Sequence, residues 1–408
     1  MVLVKAFKGI RPKPAYAAKI AELPYDVVNS QEAKELAQNN PYSYFHIDKA
    51  EIDLPEDVSP YSEEVYQKAA ENLALNLEKG WLVKDNHPNF YLYQLTMNGR
   101  SQTGLVACTS IDDYIAGKIK KHEFTRYEKE IDRINHMKAC DANTSPIFLT
   151  YRKEAEIQTI IEEWKKNHAT LYDFESYHDV HHCVWLIDDE RTTQRLSQLF
   201  EEVDALYIAD GHHRSESAVK VGLEKRANGT DSPESDFFLS ILFPAEELEI
   251  LEYNRILNVS LPEDFMTILK QHFNVEETTE NKAREPRQIQ MYLDQKWYQL
   301  TIPTEKIPAD LIDSLDVSYL QKHVFEEIFD IMDIRSDKRI DFVGGIRGSE
   351  ELVKHVDSGA WNLAFAMYPT QMSDLLAVAD AGEIMPPKST WFEPKLLSGL
   401  FLHDLETK

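Results

Sequence analysis

Apolar residues recur along this chain in short runs, and their spacing predicts both strands and helices. Residues 90–96 and 102–109 carry the short apolar runs typical of strands, and Asn98-Gly99 between them is a hairpin turn signal. Residues 61–79 instead carry apolar positions at helical spacing and are followed by a glycine. We therefore expect a mixed α/β (α+β) fold in which hairpins occur beside some βα units.

Other segments follow the same two patterns. Residues 24–30 have the pattern of a strand that runs into a helix cap at Asn29 or Ser30. The remaining predicted strands include 146–151, 182–187, 206–209 and 237–243, and the predicted helices include 118–137, 154–167 and 191–201.

One polar segment, 275–288, is the weakest point of this pattern and contains Pro286. It predicts a loop or a domain boundary nearby. We therefore expect two domains, a core at 1–258 with hairpin insertions and a mixed α/β carboxyl-terminal lobe at 259–408.

The composition limits the partners and the location of the protein. Of the 408 residues, 43% are hydrophobic and 28% are charged, as in soluble globular proteins, and the formal net charge is −26. This charge repels phosphate backbones, so we expect no nucleic-acid partner. The three cysteines lack metal or disulfide spacing, which favours the cytoplasm, and no apolar run reaches the about 18 residues of a membrane span. The sequence does not determine the oligomeric state, and a homo-oligomer is one of the alternatives.

The segment LYIADGHHRSESAVK (206–220) concentrates reactive side chains between a predicted buried strand and a helix that starts near Ser215. Backbone N–H groups and the helix dipole at such a junction favour an anion. Gly211 lets the backbone approach a ligand closely, and the planar guanidinium of Arg214 matches phosphate oxygens. The turn therefore predicts a phosphate-binding site.

The other residues of this turn can take part in proton transfer. His212 and His213 can donate hydrogen bonds to phosphate or move a proton near neutral pH. Asp210 can orient a histidine, accept a substrate proton or hold Mg²⁺. The alternative interpretation is a capped Asp-Gly turn with two exposed histidines.

A second charged segment, 117–141, supplies further cations. If it is helical from His122, one face carries Glu123, Arg126, Glu130 and Arg133. Such a helix could present Arg126 and Arg133 to phosphates. Equally, these residues could be ion pairs on a solvated helix face.

Three shorter motifs complete the set. Asp26 in PYDVVN stands between apolar residues, where a carboxylate needs a partner, although a simple turn acid fits as well. Lys388 in the proline-rich segment MPPKSTWFEPK could contact a phosphate or pack in a terminal loop. The histidines of HDVHH (178–182) lack a zinc-site pattern, so we do not expect a metal there.

Six segments in this order resemble the signature of domain-of-unknown-function family 1015. The resemblance runs over nearly the whole chain, and it is the combination of segments that makes it specific. The segments are FKGIRP (7–12), PYDVVN (24–29), KHEFTR (121–126), ADGHHR (209–214), EYNRIL (252–257) and MPPKSTWFEPK (385–395).

That family is in turn similar to the ParB/sulfiredoxin superfamily, whose members bind nucleotide phosphates on a Gly-x-x-Arg turn at the start of a helix. Free-serine kinases of this superfamily carry an Asp-Gly-His-x-Arg turn and phosphorylate L-serine with ADP or ATP. Residues 210–214 match that turn. The resemblance therefore implies a ParB/sulfiredoxin-like nucleotide-binding core and transfer of a phosphoryl group to a small hydroxy-amino acid, first of all free L-serine. Because position 212 is His where sulfiredoxins have Cys, we do not expect peroxiredoxin repair.

Under this hypothesis each candidate residue has a role. A carboxylate, Asp26 or Glu123, takes the proton of the acceptor hydroxyl, and Asp210 and His212 are further catalytic candidates. Mg²⁺ bridges the phosphates of ATP or ADP through Asp210. The phosphate contacts come from Gly211, His212, His213, Arg214, Arg126 and Lys388.

Two other functions use much of the same chemistry. A phosphatase that acts on a phospho-amino acid needs similar groups. A nucleotide-dependent switch of the ParB type would also bind phosphate, but we find no helix-turn-helix or basic module in 259–408. For phosphoryl transfer, Asp26, Arg126 or Glu123, and Arg214 must converge at the amino end of the helix near Ser215, since a displacement of about 1 Å can cost about 100-fold in rate. Lys388 could close that cleft.

Overall fold

A computed structural model describes residues 1–406 and divides them into two compact units. The first unit comprises 1–121, 125–248 and the segment from Pro394 onward, and the second comprises 122–124 and 249–393. The boundary lies at 248/249, where 258/259 was expected, and the last segment returns to the first unit. There, Ile10 and Leu402 exchange backbone hydrogen bonds at 3.0 and 2.8 Å.

The first unit alternates short strands and helices. Its strands are β1 (Val4–Lys5), β2 (Ile10–Pro12), β3 (Leu82–Lys84), β4 (Phe90–Met97), β5 (Arg100–Ser110), β6 (Ile119–Lys120), β7 (Ala142–Asn143), β8 (Ile147–Tyr151), β9 (Tyr172–Glu175), β10 (His181–Ile187), β11 (Leu206–Asp210) and β12 (Phe237–Pro244). Its helices are α1 (Ala17–Ile20), α2 (Ser30–Leu36), α3 (Phe45–Asp48), α4 (Glu63–Glu78), α5 (Ile111–Ile115), α6 (Tyr127–Cys140), α7 (Ala155–Asn167), α8 (Glu190–Glu201) and α9 (His212–Asn228).

Nine of the described strands form one mixed sheet in the order β6-β11-β8-β12-β5-β4-β10-β9, with β1 added on β5. The pairs β6/β11 and β8/β12 are parallel, and the other pairs are antiparallel. The central strands of this sheet are almost fully buried on both faces, as in sheets that helices cover. The apolar cluster around this sheet includes Leu149 of β8 and Val219 of α9. The predicted mixed α/β class is therefore confirmed, as is the hairpin of β4 and β5.

The second unit is built on a smaller antiparallel sheet, in the order β15-β17-β16-β19-β14-β18. The strands of the second unit are β13 (Ile250–Leu251), β14 (Tyr253–Leu257), β15 (Asn274–Thr278), β16 (Gln288–Leu293), β17 (Lys296–Thr301), β18 (Ile340–Gly344), β19 (Leu363–Ala366) and β20 (Trp391–Phe392). Its helices are α10 (Phe265–His272), α11 (Asp316–Leu320), α12 (Ser349–Asp357) and α13 (Met372–Asp380). A π-helical segment, Gln321–Glu326, continues α11. After this unit, β21 (His403–Asp404) pairs with β7 of the first unit.

Two predictions around the site were wrong. Residues 24–30 form a turn, closed by the hydrogen bond from Val27 N–H to the Pro24 carbonyl at 3.1 Å, so Asp26 lies in a turn and not at a strand end. Asn29 then caps α2 and forms a capping box with Glu32.

The charged helix begins at Tyr127, later than expected, because residues 119–120 pair with β11 instead. Arg126 is its N-cap residue, and Glu123 precedes the helix. The four residues expected on one helix face therefore do not share one. The polar segment 275–288 is also only in part a loop, since β15 covers its start.

No helix among residues 1–406 is long and apolar enough to cross a lipid bilayer.

Candidate functional site

The turn at 210–214 joins the end of β11 to the start of α9. Gly211 is the N-cap residue, with φ 95° and ψ 31°, and no side chain caps this 17-residue helix. A Cβ atom at position 211 would lie 3.2 Å from Nε of Arg214. Glycine is thus required by the positive φ and by the close approach of the arginine. The first turn of α9 has no side-chain N-cap and no acidic residue, and the Asp210 carboxylate just before it accepts the N–H of Gly211.

Arg214 is 7% exposed, and only part of its guanidinium group has hydrogen-bond partners. Its Nη1 donates to the carbonyl of Pro146 at 2.6 Å, and its Nη2 lies 4.0 Å from Oδ1 of Asp210. Its Nε is buried and has no hydrogen-bond partner among the described residues. Burial lowers the pKa of Arg214, but the carboxylates of Asp26 and Asp210 outweigh it and raise that pKa above its ordinary value. A permanently charged, buried N–H donor therefore stands beside the helix start.

Asp210 balances the cations of this turn. Its Oδ1 accepts the Gly211 N–H at 2.8 Å, and its Oδ2 lies 3.3 Å from Nζ of Lys395. Burial raises the pKa of Asp210, but Lys395 and then Arg214 hold it well below its ordinary value. The carboxylate is therefore ionised and does not accept a proton near neutral pH.

The surroundings of Asp210 do not fit a metal ligand. Its two oxygens face the cations Lys395 and Arg214. No group of three metal-binding side chains in the described part of the chain includes Asp210. Mg²⁺ prefers oxygen ligands with negative charge, and two cations in its place make the site unfavourable.

The two histidines differ in their surroundings. His213 accepts the backbone N–H of Arg126 on Nε2 at 2.9 Å, which places the start of α6 against the turn. Burial and the Lys129 ammonium lower the pKa of His213 to about 4, against the opposing charges of Asp26 and Glu130. His213 is therefore neutral at pH 7. His212 is buried at 6% exposure.

A cleft of about 250 Å³ lies next to this turn, between the turn at residue 26, the end of α3 and the first half of α6. Asp26 is exposed at its rim. Both acids and cations line it, and they are Asp26, Asp48, Glu51 and Asp132 with Lys49, Lys129 and Arg133. Tyr25, Val28, Asn29, Ser30, Pro60 and Tyr61 complete the lining.

Arg133 forms the wall between the cleft and the turn. Its Nε donates to Asp132 at 2.9 Å and its Nη1 donates to Asp48 at 3.2 Å, and its guanidinium stacks 3.8 Å from the Tyr25 ring. Burial lowers the pKa of Arg133, but Asp132, Tyr25 and Asp48 together raise it. Arg133 and Arg214 both line a cavity of about 20 Å³, which has room for a water molecule.

The structure thus brings together some of the residues expected at the site. Asp26, Arg126, His213 and Arg214 all belong to the first unit, where His213 accepts the Arg126 N–H and the Asp26 carboxylate opposes the lowering of the pKa of His213 and of Arg214 by burial. Glu123 and Lys388 belong to the second unit. There, the Lys388 ammonium lies 5.3 Å from the centre of the Tyr253 ring, and its carbonyl accepts a hydrogen bond from Arg255 at 3.1 Å.

Three residues near the turn had no assigned role in the sequence. Lys395 lies in the same proline-rich motif as Lys388, and it is Lys395 that contacts Asp210. Asp48 and Asp132 pair with Arg133 across 85 and 1 residues. No spacing rule connects Asp48 with Arg133, so only the fold reveals that pair.

The family comparison matches most of the chain. The profile described as "Protein of unknown function (DUF1015)" matches residues 4–318. No curated protein matches the sequence significantly.

Solved structures show only distant similarity. A mutant free serine kinase in complex with AMP is 13% identical and covers 70% of this chain and 86% of its own, with a TM-score of 0.38. C-terminally truncated SbnI from Staphylococcus aureus is 13% identical over 72% of this chain and 85% of its own, with a TM-score of 0.39. A conserved hypothetical protein from Pyrococcus furiosus is 14% identical and covers 72% of this chain and 95% of its own, with a TM-score of 0.34.

Proposed function

The chain belongs to the DUF1015 family, and we propose that its first unit binds the phosphates of ATP or ADP at the turn 210–214 and transfers a phosphoryl group to a small hydroxy-amino acid. Free L-serine is the first acceptor to test, because the turn Asp210-Gly211-His212-His213-Arg214 resembles that of free-serine kinases. The observation that carries the proposal is the buried Nε of Arg214, which lacks a partner beside an uncapped helix start.

An anion supplies what this turn lacks. A buried, unsatisfied donor costs about 1–3 kcal/mol, and more for a charged group. A phosphate oxygen would accept from Arg214 Nε and interact with the positive end of the α9 dipole at the same time. Gly211 has no side chain to obstruct that approach.

The neighbouring cleft supports an amino acid as the acceptor. Its volume of about 250 Å³ lies below the about 300–1,000 Å³ of sites for drug-sized ligands, which favours a small molecule. An amino acid carries both an ammonium and a carboxylate, and the cleft is lined by acids and by cations, several of which pair with one another, as Lys49 does with Glu51 and Arg133 with Asp48. Asp26 is exposed and has no hydrogen bond or ion pair among residues 1–406, so its carboxylate is available to a substrate.

The proposed reaction is a direct displacement. The acceptor hydroxyl loses its proton to Asp26 while its oxygen bonds to the terminal phosphorus. The bond from that phosphorus to the bridging oxygen breaks, and the nucleotide leaves with one phosphate fewer. Arg214 and the helix start stabilise the developing negative charge, and positioning supplies most of the remaining acceleration.

Magnesium enters this proposal only with the nucleotide. Mg²⁺ commonly keeps several waters and is held by substrate phosphates. Since Asp210 already faces Lys395 and Arg214, we expect the ion to be carried by the phosphates. Nucleotide titrations with and without Mg²⁺ test this expectation.

The site is tested by one substitution at each end of α9. Arg214→Ala should weaken ATP or ADP binding by about 1.5–3 kcal/mol, the scale of a charge-assisted hydrogen bond. Arg226→Ala is the matched control, because Arg226 pairs with Asp112 and Asp236 in the last turn of the same helix. Calorimetric titration measures both affinities, and circular dichroism checks the fold. Equal nucleotide affinity in folded Arg214→Ala and wild type would refute the site.

The reaction is tested by an acceptor screen with phosphorus NMR. L-serine, D-serine, L-threonine and ethanolamine separate an amino-acid acceptor from a simple alcohol. Transfer to L-serine supports the kinase. Phosphate release from phosphoserine without nucleotide would instead show the phosphatase, and nucleotide binding without any turnover would show a binding protein.

A further inference from the structure

Two histidines and a glutamate meet in the second unit, away from any motif identified in the sequence. His272 is the last residue of α10, His323 lies in the π-helical segment, and Glu327 follows that segment. Oε2 of Glu327 is 3.4 Å from Nε2 of His272, and its Oε1 is 3.1 Å from Nδ1 of His323. One ligand atom from each of the three residues lies within 4.8 Å of the other two.

The two imidazoles are held by their surroundings. Their rings stack with centres 4.4 Å apart and planes 24° apart. The Tyr319 ring lies 4.3 Å from that of His323, and its hydroxyl donates to the carbonyl of His272 at 3.3 Å. The π-helical segment sets the direction of His323, and such segments are frequent at functional sites. The donor atoms are therefore positioned before any ligand arrives.

The hydrogen bonding of this cluster is incomplete. Nδ1 of His323 is buried and has no hydrogen-bond partner in the part of the chain that the structure describes, although Oε1 of Glu327 is only 3.1 Å away. The carboxylate oxygen is near enough to share a ligand with the ring nitrogen but lies off the direction that a hydrogen bond requires. A cation between the two atoms satisfies both.

We propose that His272, His323 and Glu327 bind a divalent transition metal, with Zn²⁺ as the best match. Zn²⁺ binds imidazole nitrogen and carboxylate oxygen at about 2.0–2.2 Å, so two tetrahedral ligand atoms lie about 3.3 Å apart. The observed separations, 3.1 Å from Oε1 of Glu327 to His323 and 3.4 Å from Oε2 to His272, are close to that value. Nitrogen donors favour Zn²⁺ over Mg²⁺ and Ca²⁺, which take oxygen ligands. Three protein ligands leave the fourth position open to water or a further ligand.

A second group, in the first unit, is the competing site. Asp173, His181 and Cys183 also bring three donors together, but Nε2 of His181 already lies 2.7 Å from Asp173. Cys183 is 7% exposed, and burial raises its pKa to about 11, which opposes the thiolate that a metal needs. The sulfur of Cys183 allows the two sites to be distinguished by absorption spectroscopy, because a thiolate bound to Co²⁺ adds a charge-transfer band in the near ultraviolet.

The test titrates the full-length protein with Co²⁺, followed by displacement with Zn²⁺. We expect visible bands of tetrahedral Co²⁺ without a thiolate band. His323→Ala and Glu327→Gln should each weaken binding by more than about 100-fold, since loss of an outer-shell partner alone costs about 10–100-fold. Glu327→Gln keeps the side-chain shape, so it remains informative if His323→Ala unfolds the unit.

Two further variants sharpen the outcome. His355→Ala should leave binding unchanged, because His355 and Glu351 form a similar pair, 3.6 Å apart, without a second histidine. Lys306→Met should tighten binding, since the Lys306 ammonium donates to the Gln271 carbonyl beside His272 and repels a cation. Absence of binding to the wild type, full binding in both ligand variants, or a thiolate band that vanishes in Cys183→Ser would each overturn the proposal.

Discussion

Two buried arginines of the first unit, Arg133 and Arg214, line one small cavity and differ in how their charge is balanced. Arg133 donates to the carboxylates of Asp132 and Asp48 and stacks on Tyr25. Arg214 donates to one carbonyl, lies 4.0 Å from its acid, and has a buried Nε without a partner. The charge of Arg133 is therefore balanced by hydrogen-bonded carboxylates, whereas Arg214 makes no close ion pair among residues 1–406.

This difference separates a structural role from a binding role. Removal of one member of a buried ion pair leaves an uncompensated charge and destabilises the fold. A partly satisfied cation beside a helix start gains most when an anion binds. We therefore expect Arg133 to matter first for stability and Arg214 first for ligand affinity.

An unpartnered Nε alone does not define a ligand site. In the second unit, Arg255 is 1% exposed, donates to the carbonyls of Tyr253 and Lys388, and also has an Nε without a partner. Burial lowers the pKa of Arg255 to about 10. Arg214 differs because the uncapped start of α9 and Gly211 lie beside it. The combination, and not the unsatisfied atom, supports phosphate binding.

The largest expected effect is on stability at Arg133. Arg133→Met should lower the free energy of unfolding by about 3–5 kcal/mol, because it leaves the buried carboxylates of Asp48 and Asp132 without their cation. Urea unfolding measures the change. Lys34→Met is the control, since Lys34 pairs with an 87% exposed Glu56 and should cost less than about 1 kcal/mol. A loss below 1 kcal/mol at Arg133 would remove the contrast between the two arginines.

The second effect is on turnover at Asp26. Asp26→Asn should lower the rate of phosphoryl transfer by about 10²–10⁴-fold, the contribution of a general base, and leave nucleotide affinity and stability nearly unchanged because Asp26 is exposed. The rate with the acceptor found in the screen is the measurement. Asp57→Asn, at another exposed acid, is the control. Full turnover in Asp26→Asn would exclude this residue as the proton acceptor.

The turn at 210–214 could be predicted from the sequence, but the distant residues that contact it and its surroundings could not. Strand β11, the Gly211 turn and α9 follow from local patterns, because apolar runs and glycine act over a few residues. The helix started earlier than expected, at His212, since Gly211 supplies the N-cap. The pair of Arg133 with Asp48 and the contact of Lys395 with Asp210 join residues 85 and 185 positions apart, and no local signal encodes such pairs.

A smaller effect concerns pH and His213. Burial and Lys129 lower the pKa of His213 to about 4 in the folded chain. Between about pH 6.5 and 4, this histidine is therefore protonated in the unfolded chain but neutral in the folded chain. Stability should therefore fall as pH falls through this window, and His213→Gln should remove about 1–2 kcal/mol of that fall. Unfolding free energies measured at pH 7 and pH 4.5 check it.

The control for that measurement is His87→Gln, at an exposed histidine. His182, whose pKa burial lowers to about 3, contributes a similar decline that remains in both variants. An unchanged pH dependence in His213→Gln would show that His213 is not held neutral by its surroundings. The turn would then carry one more cation at acid pH than its contacts indicate.

The smallest expected effect on nucleotide affinity, at Gly211, gives the most direct test of the turn. Gly211→Ala and Gly229→Ala stand at the two ends of α9, with φ of 95° and 66°. Each should cost about 1–2 kcal/mol of stability for a side chain at positive φ. Only at position 211 would the new Cβ lie 3.2 Å from Arg214 Nε, since nothing lies within 4 Å at position 229. Gly211→Ala should therefore also weaken nucleotide binding by about 10-fold, as expected for loss of one good hydrogen bond, whereas Gly229→Ala should not. If calorimetric titration finds equal affinities in the two variants, the phosphate does not lie against Gly211 and Arg214, and the contrast with Arg133 has another cause.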